Sequence, residues 1–192
     1  GGAALATSTP LGNGTHYYAS QTVSSCESTS RFDVTASINT TPAAPTGSAS
    51  QSFCSGASST VANLTATGST IQWYDASSGG SLLAPATALV NGTHYYASQT
   101  ISGCESTSRF DVTVTINATP AAPTGTAAQS FCSSASPTVA NLAATGTFIQ
   151  WYDAASGGSL LAPATALVNG THYYASQTVS GCESTLRFDV TA

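Results

Sequence analysis

The sequence predicts an all-β chain, a tandem array of immunoglobulin-like or fibronectin-like β-sandwich domains with a period of about 78 residues. Three observations carry this: a fixed internal period, short stretches of alternating apolar and polar residues with no helical spacing, and one pair of cysteine positions per repeat. The segment Asn-Gly-Thr-His-Tyr-Tyr-Ala-Ser-Gln-Thr starts at Asn13, Asn91 and Asn169, and the two intervals are equal. Gln72-Trp73-Tyr74-Asp75 returns at Gln150 to Asp153, and Ser52-Phe53-Cys54-Ser55 at Ser130 to Ser133, on the same period. The chain then divides into residues 1–41, the C-terminal half of a unit, and two complete units, 42–119 and 120–192.

Gly1-Gly2 fall on Gly79-Gly80 and Gly157-Gly158, so the sequence is expected to open inside a unit. Gly1 is not Met, so a boundary other than a translation start is expected there. The missing strands of this half unit would come from upstream in the same chain or from a neighbour in a filament. Left alone, Tyr17, Phe32 and Val34 would lack an opposing sheet.

The strands follow from period-two alternation. Phe110, Val112, Val114 and Ile116 alternate with Arg109, Asp111, Thr113 and Thr115 in a half-buried strand. Ile71 and Trp73 point inward on an earlier strand, with Gln72 and Tyr74 outward. Further strands are expected at Val61 to Thr65, Ser81 to Leu83, Ala88 to Val90 and His94 to Ile101, giving six or seven per unit. Leu89-Val-Asn-Gly-Thr-His-Tyr-Tyr-Ala has the pattern of the corner that leads into the sixth strand of an immunoglobulin-like or fibronectin-like sandwich. Tyr95 and Tyr173 are then corner tyrosines whose hydroxyls bond backbone upstream, and Trp73 and Trp151 fill the core centres. Between units, Ile38 to Gly47 and Ile116 to Gly125 each carry two prolines, which restrict the path to a short semi-rigid spacer and imply an extended rod.

Five cysteines stand at 26, 54, 104, 132 and 182. Two pairings fit. Within units, Cys54 would join Cys104 and Cys132 would join Cys182, leaving the partner of Cys26 missing; each small domain then has its own staple. Across the spacers, Cys26 would join Cys54 and Cys104 would join Cys132, leaving Cys182 alone. The first is preferred, and it would tie the last hairpin of a unit to its first strand. No Cys-x-x-Cys zinc spacing occurs, so the cysteines imply an oxidising, extracellular or cell-surface setting.

Composition narrows the function classes. Charged residues are 6% of the chain, against roughly 25% in ordinary domains, and Lys is absent. The net charge of −5 is spread without a basic cluster, which disfavours nucleic-acid binding. No apolar run reaches the roughly 20 residues needed to cross a bilayer. His16, His94 and His172 are each alone in their unit, so no metal site is expected. Asp75, Glu105 and Asp111 do not form a calcium loop, and Arg109 with Asp111 reads as a surface ion pair. No nucleophile elbow, nucleotide loop or Ser, His and Asp set is present, so neither an enzyme nor a cofactor is expected. Asn-x-Thr sequons occur at Asn13, Asn39, Asn63, Asn91, Asn117 and Asn169.

Pro-Ala-Ala-Pro-Thr-Gly, Ser-Phe-Cys-Ser, Val-Ala-Asn-Leu, Gln-Trp-Tyr-Asp, Thr-His-Tyr-Tyr-Ala-Ser-Gln-Thr and Gly-Cys-Glu-Ser together resemble the immunoglobulin-like repeat domains of very large secreted Bacteroidota proteins. Those proteins are exported by a type 9 secretion system and include gliding-motility adhesins. The resemblance covers the whole chain and implies a secreted or cell-surface stalk. The expected function is a structural segment of an adhesin stalk or surface filament, its partners being neighbouring repeats or identical chains. Two alternatives stand beside it. One is a carbohydrate-binding module contacting surface glycans through Gln72, Tyr74, His94 and Tyr96, with Thr113 beside them, and through Gln150, Tyr152, His172 and Tyr174. The other is a set of spacer domains in a secreted multidomain enzyme. The tyrosine face also reads more simply as a solvent-facing surface.

Overall fold

A computed structural model of the protein describes residues 3–192; Gly1 and Gly2, at the start of the half unit, lie outside the described residues. Residues 3–41 form β1 (His16–Ala19), paired antiparallel with β4 (Phe32–Thr35), and between them a small hairpin of β2 (Thr22–Val23) and β3 (Cys26–Glu27). The first complete unit adds β5 (Ser50–Cys54), β6 (Gln72–Tyr74), β7 (His94–Ser98), β8 (Thr100–Ile101), β9 (Cys104–Glu105) and β10 (Phe110–Asn117). Four of these build one sheet in the order β5-β10-β7-β6, with β5 parallel to β10 and the other pairs antiparallel. The second unit follows with β11 (Gln150–Tyr152), β12 (His172–Ser176), β13 (Thr178–Val179), β14 (Cys182–Glu183) and β15 (Phe188–Thr191); its sheet has three strands, β11-β12-β15, and the counterpart of β5 makes only a parallel bridge, Ala128 to Thr191. No α-helix occurs among the described residues.

The layer facing the sheet is thin. It is held by isolated bridges, Thr46 to Thr67 and Thr60 to Ala88, and by one 3₁₀ turn at Val61–Asn63. The expected strand from Val61 to Thr65 is not formed. Thr60 N–H donates to Asn63 Oδ1 at 2.8 Å and Asn63 N–H donates back to the Thr60 carbonyl at 2.8 Å, a local closure that competes with strand pairing. The turn still buries Val61 and Leu64, since residues three apart eclipse in a 3₁₀ turn and both face the sheet. Of the other expected strands, Leu82 and Ala88 make single bridges, to Tyr74 and Thr60, and the run from His94 breaks at Gln99 into β7 and β8.

The inward faces make one core per complete unit. Trp73, Tyr95, Ala97, Val112 and Val114 pack with Val61, Leu64 and Leu89, and Phe53, Phe110 and Ile116 close the edges. Trp151, Tyr173, Ala175 and Val190 with Val139 and Leu142 form the equivalent core. Val90 N–H donates to the Tyr95 hydroxyl at 2.9 Å and Val168 N–H to the Tyr173 hydroxyl at 2.9 Å, so each tyrosine ring is in the core while its oxygen satisfies the corner backbone. The chain reverses just before this strand at Gly92, whose φ of +74° is a conformation glycine adopts without strain.

The half unit has the same strand pair without a layer opposite. Val34 is 45% exposed and Phe32 is 73% exposed, whereas their counterparts Val112 and Val190 are at 0% and Phe110 and Phe188 are half-buried. Among the described residues no helix is long and apolar enough to cross a membrane.

Candidate functional site

The junction between units is built from the end of one sheet and the hairpin of the next. Cys54 ends β5 opposite Asn117, the last residue of β10. In the following unit β13 and β14 are joined by Ser180-Gly181, with φ of +50° and +78°, a two-residue turn of the kind that suits hairpin twist and that glycine favours at its second position. This hairpin reaches back, and Cys182 on it is bonded to Cys54 with the two Cα atoms 5.6 Å apart. Asn117 Nδ2 donates to the Ser180 carbonyl at 2.9 Å beside the bond.

Both pairings expected from the sequence are therefore corrected. Cys54 is not bonded to Cys104, nor Cys132 to Cys182, and the cross-spacer pairs Cys26 with Cys54 and Cys104 with Cys132 are absent too; Cys26, Cys104 and Cys132 are free. The reason is distance along one strand. Cys54 stands at the Asn117 end of β10, while Cys104 belongs to the hairpin that precedes Phe110 at the other end. Seven steps of strand span roughly 23 Å, and a disulfide needs Cα atoms within about 7 Å. The elements joined are the ones expected, first strand and last hairpin, but from consecutive units.

The same junction exists one period earlier. Asn39 Nδ2 donates to the Ser102 carbonyl at 2.7 Å, and Cys104 Sγ lies 3.8 Å from the Asn39 carbonyl, as Cys182 Sγ lies 3.9 Å from that of Asn117. The proline spacers dock on the unit that follows them. Pro45 and Pro123 are buried, and Gln99 and Gln177 each donate through Nε2 to a spacer carbonyl, Ala43 and Ala121, at 2.9 Å. Thr119 is tied to the unit before, its N–H donating to Ser55 Oγ at 3.0 Å. Between these two anchors stands only Pro120, whose ring fixes its own φ.

The second candidate is the outward sheet face, where the register brings the expected residues together. Tyr74 stands opposite Tyr96 across β6 and β7, and His94 opposite Thr113 across β7 and β10. Gln72 is opposite Ser98, which is completely buried. Tyr74 has little freedom: its hydroxyl donates to Glu105 Oε1 at 2.8 Å, and the Arg109 guanidinium covers its ring 3.5 Å from the centroid. Tyr152, Glu183 and Arg187 repeat this set. His94 stacks against Tyr96 with ring centroids 6.3 Å apart, and His172 against Tyr174 likewise. Gln150 occupies the Gln72 position opposite Ser176, whose buried hydroxyl has no hydrogen-bond partner.

The ion pair expected between Arg109 and Asp111 is replaced by two other sets of contacts. Arg109 Nη1 donates to the carbonyls of Ala76 and Gly79 at 2.6 and 2.7 Å. Asp111 accepts from His94 Nδ1 at 2.9 Å. Residues two apart on a strand share a face but stand roughly 7 Å apart, whereas cross-strand neighbours and the adjacent turn come within reach of long side chains. Asp75 is absorbed locally, accepting from Ser81 N–H at 2.7 Å.

Hydrogen bonds from the hydroxyls of Ser98 and Tyr74 hold the Glu105 carboxyl below its ordinary range, and burial with the bond to Glu105 pushes the Tyr74 phenol up. A carboxyl depressed in the folded chain and ordinary in the unfolded one adds stability above its unfolded value, about 4.3, and that contribution is lost as pH falls through the lower folded value. The chain should therefore lose more of its urea resistance between about pH 5 and pH 3 than its Glu105→Gln variant does. Equal losses would show that the hydroxyl cluster carries no pH-linked stability.

Among the described residues no group of three or more His, Cys, Asp or Glu side chains is placed to hold a metal ion. A family model described as "Ig-like domain CHU_C associated" matches residues 42–117 and again 120–192. The two matches coincide with the two complete units and fit the Ig-like repeats of Bacteroidota type 9 secretion proteins. No curated protein matches the chain.

Proposed function

The chain belongs to the CHU_C-associated Ig-like domain family, and from that premise we propose that it is a structural segment of an extracellular stalk or surface filament. Domains of this family are associated with secreted or cell-surface proteins and are typically non-catalytic. One observation carries the proposal: the same junction is made twice, one period apart, by Asn39 with Ser102 and by Asn117 with Ser180. A contact repeated with the period of the sequence gives every unit the same relation to the next, and units stacked by one operation form a filament or rod.

The docked spacers support the same reading, since a connector anchored on both sides of Pro120 leaves little chain to bend. So does the outward face, where the Arg109 guanidinium already lies over the Tyr74 ring and Glu105 takes its hydroxyl. Small-angle scattering on chains of two, three and four units should give a maximum dimension that rises linearly with unit number. A radius of gyration following the compact-domain scaling instead would overturn the proposal.

A further inference from the structure

The disulfide joins two positions 128 residues apart, one period plus the separation of first strand and hairpin within a unit. Its two halves are both present elsewhere in the chain, each lacking its mate. We infer that Cys54–Cys182 is one rung of a ladder: in a longer run of these units, each first-strand cysteine is bonded to the hairpin cysteine of the unit after it. This rests on the stalk reading for its array and adds what holds the array together.

On the hairpin side, Cys104 already sits in a formed junction. Its turn, Ser102-Gly103, has φ of +50° and +80° against +50° and +78° for Ser180-Gly181. Its sulfur lies against the Asn39 carbonyl as that of Cys182 lies against Asn117. What the junction lacks is a counterpart of β5, the strand that carries Cys54 beside Asn117. The same half of a unit would cover Val34 and Phe32, whose counterparts Val112 and Phe110 are part of a closed core. The occupant that fits this edge is the first half of another unit of the same repeat.

On the strand side, Cys132 has the backbone of Cys54. Both are extended and both lead into a 3₁₀ turn, Ser133–Ala135 and Ser55–Ala57. Beside Cys132 is a cavity lined by Phe131, Leu167, Asn169 and Ala192. In the preceding unit the equivalent space is filled by Thr115 to Asn117 of β10, which pair with Ser52 to Cys54, and Asn91 there accepts the Ile116 N–H at 2.8 Å. The cavity thus stands where, in the preceding unit, the strand that leads out toward the next unit runs.

Each rung forms when two thiols lose two protons and two electrons to a disulfide oxidant, which is itself reduced to two thiols. The test uses the full chain and the full chain with one further copy of residues 115–192 joined in register after Ala192. Both are folded in a glutathione disulfide buffer, free thiols are alkylated, and peptides are mapped without reduction. The expected map has Cys54 bonded to Cys182 in both, Cys132 alkylated in the first, and Cys132 bonded to the hairpin cysteine of the added copy in the second. In a Cys132→Ser version of the longer chain that hairpin cysteine should become alkylated while Cys54–Cys182 persists. Cys132 bonded to Cys182, or still alkylated in the longer chain, would overturn the ladder. The peptide map reads which cysteines are bonded and the scattering series reads whether the maximum dimension rises with unit number, so the ladder and the stalk reading fail on different measurements.

Discussion

Replacing Cys54 by serine should release the two complete units from one another, so that scattering or spin-label distances between residues 42–117 and 120–192 change from one narrow distribution to a broad one. The bond closes a loop of 128 residues, and in the chain-entropy account a loop of that length is worth about 5 kcal/mol. Each unit keeps its own core in the variant. The loss should therefore show mainly as a wider spread of shapes, together with a lower unfolding midpoint. Dithiothreitol acting on the unaltered chain should reproduce it. An interunit distance distribution unchanged by the variant and by reduction would mean that the Asn117 and Ser180 contact alone fixes the angle.

Trp73→Ala should unfold residues 42–119 and spare 120–192. Trp73 is 8% exposed at the centre of its core, and truncating a buried tryptophan costs about 3–5 kcal/mol. A unit of this size has only about 4–12 kcal/mol in total. The chain has one tryptophan per complete unit, so Trp151 remains as the fluorescent reporter of the neighbour. The expected record is protease cutting confined to the first complete unit at low protease, with the emission of Trp151 still that of a buried indole. Trp151→Ala should give the mirror image. Loss of both units in either variant would show that the junction couples them more strongly than their separate cores do.

The parts of this fold that are legible in the sequence are those set by local pattern. Alternation along Phe110 to Ile116 places Val112 and Val114 inside because side-chain direction flips at each residue whatever the partner strand. The corner tyrosine is legible because the glycine turn and the following strand fix where its hydroxyl must go. The 3₁₀ turn at Val61 is not, because the four residues of Val-Ala-Asn-Leu carry no usable period, and the Thr60 and Asn63 exchange that decides it is a side-chain effect. The disulfide escapes for a different reason. Spacing along a chain says nothing of which end of β10 a residue stands at, and that position decides which hairpin is within reach. Asn117 and Gln177, which position the junction and the spacer, look in the sequence like a sequon and part of a repeated segment; their recurrence at fixed distance from the prolines is the signal that could find them.

The bond from Cys54 to Cys182 also closes the backbone into a ring. Most of both complete units, and the spacer between them, lie within it. A single cut anywhere inside that ring opens a circle and releases nothing: the two ends stay on one molecule. Where a plain string of domains would be parted by one protease cleavage at an exposed turn, this chain, when cut between Cys54 and Cys182, keeps its two ends on one molecule until the bond is also reduced.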